Sequence, residues 1–121
     1  MAKKEKRKGG MEFNEYQDLA SQTADFTGRS DEYKLMYTCM GLAGETGETI
    51  EKVKKVMRNN NGVMTEEQRD AIKLEIGDVL WYLSQVARFS GIALDDAAQA
   101  NVEKLADRRA RGVIRSEGDK R

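Results

Sequence analysis

The stretch GLAGETGE, Gly41 to Glu48, sets three glycines and two glutamates into one short run flanked by strongly helical sequence. As a loop it would need no explanation. As helix it carries a cost, because each interior glycine is less favourable than alanine by roughly 0.5–1 kcal/mol. A helix that accepts this cost three times is expected to need close approach there, by a partner backbone or a ligand. A phosphate-cradling glycine loop fares badly as the competing reading. GETGE puts two negative charges and no lysine where an anion would sit.

The apolar spacing around this run predicts one helix from about Asp31 to Arg58. Met36, Met40, Ala43, Ile50 and Met57 form its stripe, and Leu35, Cys39, Leu42 and Val53 widen it. Glu45 and Glu48 lie off the stripe, on a common flank. Asn59-Asn60-Asn61-Gly62 then breaks the helix. Thr65 and Gln68 have capping-box spacing and open a further helix that runs to Ser90 and stops at Gly91, with a core stripe of Ile72, Ile76, Val79, Leu83 and Val86. Upstream, a first helix begins near Asn14, where Asn14 and Gln17 also have capping-box spacing. It places Phe13, Tyr16, Ala20 and Ala24 along one side and ends before Gly28-Arg29-Ser30. The last helix starts near Leu94, with Asp95 and Asp96 at the positive end of its dipole, and ends at Gly112. The predicted fold class is all-α. Leu74 and Trp81 lie on the side of the third helix away from its main stripe, so something is expected to cover a second face there.

With 121 residues, 39% hydrophobic and 35% charged, and no proline, the chain suits a single small helical domain. One cysteine and no histidine exclude an internal disulfide framework and zinc sites of the Cys/His kind, and a reducing, cytoplasmic setting is expected. The net charge is zero, but residues 1–10, MAKKEKRKGG, hold five Lys or Arg against one Glu, which leaves the remainder acidic. No apolar h-region follows, so a signal peptide is not indicated, and no run approaches transmembrane length. This head reads as a disordered solubilising tail or expression remnant, with nucleic-acid binding through residues 3–8 the weaker reading. The domain is expected over 11–112 and an irregular tail over 113–121.

The chemistry-bearing pattern is Glu45-x-x-Glu48 on the second helix and Glu75-x-x-Asp78 on the third. Positions i and i+3 are neighbours on one face, so each pair presents two carboxylates side by side. If the helices pack antiparallel, four carboxylates converge. Two unit charges about 6 Å apart repel by roughly 3 kcal/mol at an effective dielectric near 20, so such a cluster calls for a cation. All-oxygen ligands and the absence of His favour Mg²⁺, with Mn²⁺ the alternative, and dispose of a di-iron bundle. On the fourth helix, Asn101 interrupts the stripe of Leu94, Ala98, Val102 and Leu105, and Lys104, Arg108 and Arg111 follow on the adjoining flank. Acidic groups that hold cations and basic groups that hold anions together suit metal-bound polyphosphate.

The motifs FNEYQ (13–17), GLAGETGE (41–48), KVKKV (52–56), EIGDVLWYL (75–83), NVEKL (101–105), RRARG (108–112) and the closing GDKR (118–121) make the chain resemble the MazG-like all-α nucleoside triphosphate pyrophosphohydrolases. The resemblance covers almost everything from Met11 to Arg121. It departs from the family in the tail, where Ser116-Glu117-Gly118 replaces a run of small residues. It implies a bundle of four to five helices whose core is completed by homo-oligomerisation, as a homodimer or homotetramer. It implies hydrolysis of a nucleoside or deoxynucleoside triphosphate to the monophosphate and pyrophosphate. Glu45, Glu48, Glu75 and Asp78 match the family's metal-binding acids, with Glu45 or Glu48 also the general base. Lys55, Tyr82, Asn101, Lys104 and Arg111 match its substrate-side residues. A non-catalytic helical interaction module, in which the acidic pairs are structural, is the rival reading. Neither reading involves a membrane.

Overall fold

The computed structural model describes residues 9–113. They form four helices: α1 (Phe13–Ser21), α2 (Asp31–Asn60), α3 (Glu66–Phe89) and α4 (Leu94–Ala110). The all-α expectation is correct, and the boundaries of α2, α3 and α4 fall within a residue or two of those read from the sequence. Residues 1–8 of the basic head and 114–121 of the tail lie outside the described residues.

Local chemistry sets the helix ends. Ser30 Oγ accepts from Tyr33 N–H at the start of α2, and Asn61 ends that helix in the left-handed region at φ 50°. Thr65 and Gln68 make the full reciprocal capping box for α3, and Gly91, at φ 72°, follows its end.

Asn14 and Gln17 share the Thr65–Gln68 spacing but do something else. Glu12 is the N-cap of α1 and makes no side-chain cap bond, and Ala93, the N-cap of α4, makes none either. The two helix starts cap each other instead: Asp95 Oδ1 accepts from Asn14 N–H at 3.2 Å, and Asn14 Oδ1 accepts from Asp95 N–H at 2.9 Å. Gln17 extends the joint. Its Oε1 accepts from Leu94 N–H at 3.0 Å, and its Nε2 donates to the carbonyls of Ser84 and Ile92. The capping box read from the sequence for α1 is therefore wrong: these side chains serve the orphan N–H groups of α4.

α2 and α3 form the main antiparallel pair, and a seam repeating every 3.5 residues joins them. On α2, Leu35, Thr38, Leu42, Glu45, Thr49, Lys52 and Val56 alternate spacings of three and four, and each is buried or half-buried. On α3 the matching row is Gln68, Ile72, Glu75, Val79, Tyr82, Val86 and Phe89. Half of this seam is polar, which corrects the stripes inferred from hydrophobicity. Met36, Met40, Ile50 and Met57 on α2 are more than half exposed, as is Ile76 on α3. Trp81 is half-buried and Leu74 is bare. α1 lies across α3, with Gln17 and Ala20 buried. Phe26 packs edge-on against Tyr37 and Phe89, each at 5.5 Å, and pins the α1–α2 connection onto the ends of the pair.

Candidate metal centre

Glu45 and Glu75 occupy facing seam positions, so the pairing of α2 with α3 brings their carboxylates together. Glu48 lies one turn beyond Glu45. One carboxylate oxygen from each of Glu45, Glu48 and Glu75 lies within 4.8 Å of the others. Glu45 Oε2 and Glu75 Oε2 are buried without a hydrogen-bond partner. Desolvation raises the Glu45 carboxyl above its ordinary value, and the charges of Glu48, Asp78 and Glu75, with a hydrogen bond to Glu48, add to the shift. Such a set of oxygen donors, short of positive charge and with two oxygens unsatisfied, suits a hard divalent cation.

Asp78 stands beside this trio rather than in it. It lines an adjoining hollow of about 380 Å³ with Thr23, Glu45, Trp81 and Tyr82. Trp81 Nε1 donates to Thr23 Oγ1 at 2.8 Å, and its ring meets Tyr82 edge-on at 5.0 Å. Burial raises the Tyr82 phenol, and Tyr37, by charge and hydrogen bond, then Glu45 and Asp78, push it the same way. Burial and then the charge of Asp78 raise the Tyr16 phenol.

Gly41 explains part of the glycine run. A Cβ there would sit 2.1 Å from Tyr82 Cε1, so only glycine lets the ring lie flat against α2. At Gly44 and Gly47 the chain itself comes no closer: a Cβ there would meet nothing within 4 Å.

The substrate-side residues are not gathered in one chain. Asn101 and Lys104 on α4, and Arg111 at its C-cap, are exposed, and α4 packs on α1 and α3 but not on α2. Arg111 pairs with Asp107 at 2.8 Å. Lys55 is exposed. Sequence reasoning missed Thr23 as a wall of the hollow, and no local signal marks it, since its partner Trp81 is 58 residues away. Lys52, one turn from Glu48 on its own helix, crosses instead to Glu75 at 3.4 Å.

An antiparallel helical pair with acids facing across its seam marks the chain as an all-α protein with a candidate site between two helices. The model of the MazG nucleotide pyrophosphohydrolase domain matches residues 35–113, and the chain belongs to this family. The chain is also 45% identical over 109 residues to the Gene 37 protein of Mycobacterium phage L5, a match covering 88% of this chain and 96% of that protein. No solved structure matches it.

Proposed function

We propose that this protein hydrolyses a nucleoside or deoxynucleoside triphosphate to the monophosphate and pyrophosphate, by attack of water on the α-phosphorus. The convergence of Glu45, Glu48 and Glu75, with two buried carboxylate oxygens left unpartnered, carries this reading. Glu45, Glu48, Glu75 and Asp78 would hold Mg²⁺, or Mn²⁺ in its place. The cation supplies neutralisation of triphosphate charge and acidification of water. Whichever of Glu45 and Glu48 remains in the outer shell takes the proton of the attacking water, because a carboxylate bound directly to metal is a poor base. Tyr82, packed against Gly41 and open to the hollow, contacts the sugar or base.

Lys104, Arg111 and Asn101 hold phosphates from a second copy of the chain, because α4 does not reach α2 within one. Lys55 adds a cation at the rim. Bare apolar faces on α2, α3 and α4 support a homodimer or homotetramer. Among the described residues no helix is long and apolar enough to cross a membrane.

The test is a panel of nucleoside triphosphates with product identification. Pyrophosphate and monophosphate should appear only with a divalent cation. Glu48→Gln and Asp78→Asn should lower the rate at least about a hundredfold while leaving the helical spectrum intact. Orthophosphate as the first product would contradict attack at the α-phosphorus, and no product from any triphosphate would favour the interaction-module reading.

A further inference from the structure

A cluster of converging carboxylates must be balanced by something when no metal is bound. Among the described residues, one ion pair reaches it: Lys52 Nζ lies 3.4 Å from Glu75 Oε1. The other described pairs, Lys34–Asp31, Lys54–Glu51, Lys73–Asp70 and Arg111–Asp107, each join residues three or four apart in sequence. Lys52–Glu75 instead crosses the α2–α3 seam, and the Glu75 side chain is only 15% exposed. Lys52 is itself a seam residue, so its aliphatic stem is held along the helix contact while the ammonium, on a side chain 40% exposed, emerges at the acids. Its charge pairs with one oxygen of Glu75. Glu75 Oε2 and Glu45 Oε2 stay buried and unpartnered.

We propose that Lys52 is a tethered counter-cation: its ammonium holds Glu75 while the centre is empty and swings to solvent when a divalent cation binds, so that it sets the affinity of the centre. This inference rests on reading the cluster as a divalent-cation centre. Ammonium and metal compete for the same carboxylate, and a positive charge retained beside a dication repels it. A flexible four-carbon stem lets the head leave without disturbing either helix. Two readouts therefore move in opposite senses when the charge is removed and the stem is kept. The metal-free protein loses stability, and the centre gains affinity. A salt bridge with only a structural role would move the first and not the second. A lysine that stays in place to orient Glu75 would weaken binding when removed.

The experiment compares the full chain with Lys52→Met and Lys52→Arg, measuring Mg²⁺ binding by calorimetry and thermal unfolding in EDTA and in saturating Mg²⁺. For Lys52→Met the expected result is a Kd for Mg²⁺ tighter by about two- to fivefold, a lower Tm in EDTA, and a Tm difference that closes in Mg²⁺. Lys52→Arg keeps the charge and should follow the unmodified chain in both readouts. If Lys52→Met does not fold without metal, Lys52→Gln serves the same comparison. A Kd that is unchanged or weaker in the uncharged variants, while the unmodified chain binds Mg²⁺, overturns the inference alone. Absence of Mg²⁺ binding by the unmodified chain overturns the metal-centre reading with it.

Discussion

At Glu45, burial and three neighbouring acids push the carboxyl in one direction, so the folded chain holds that proton more tightly than the unfolded chain does. The sign of the linkage follows. Glu45 contributes favourably below the ordinary glutamate pKa, and the contribution is lost as pH rises through the raised folded value. In EDTA, Glu45→Gln should therefore have a higher Tm than the unmodified protein at pH 7, with the difference closing towards pH 4. Thermal unfolding across that range checks it, and an unmodified protein more stable than the variant at pH 7 would contradict it. The acids were legible in the sequence because Glu45-x-x-Glu48 and Glu75-x-x-Asp78 are local patterns. Their partners were not. Lys52 has Glu48 one turn away along its own helix, yet the seam turns it towards Glu75.

Between elements, identical spacings gave opposite outcomes. Thr65 and Gln68 close a box on α3 because their own helix start is free to use them. Asn14 and Gln17 face the start of α4, whose N–H groups have no local cap, and tertiary contact captures both side chains. Gln17→Ala should cost about 3 kcal/mol, since it removes three hydrogen bonds and leaves buried backbone groups unpaired. Urea unfolding should show the loss, and a change under about 0.5 kcal/mol would mean that the joint is solvated and does not fix α4. The α2–α3 seam was the part of the fold least legible in the sequence. Thr38, Glu45, Thr49 and Lys52 give its α2 side no hydrophobic signature, and the Met-rich stripe that dominates the pattern of α2 is exposed in the single chain.

For the whole molecule, the few buried apolar side chains, Ala20, Val56, Ile72, Ala87 and Leu94, contrast with broad exposed surfaces carrying Met40, Ile50, Met57, Leu74 and Val102. Bare Leu74 agrees with the sequence-based expectation of a second apolar face on α3. Trp81 was expected there too, but Thr23 and the α1–α2 connection partly cover it. Asn101, Lys104 and Arg111 stand apart from the acids for a related reason: α4 turns away from α2 in a single chain. If a second copy supplies them, Asp78→Asn and Arg111→Ala should each be inactive alone and regain activity when co-folded, because a mixed dimer holds one site with both residues intact. Persistent inactivity of the mixture would place acids and bases in the same chain's site. Light scattering should find at least a dimer.

The central claim is that carboxylates from α2 and α3 share one divalent cation across their seam. Anomalous diffraction from crystals grown with Mn²⁺ tests it most directly. The account predicts a peak within about 2.0–2.3 Å of carboxylate oxygens from both helices, Glu75 on α3 and at least one of Glu45 and Glu48 on α2. Glu45 and Glu75 turned apart, with no anomalous density between them, would contradict it.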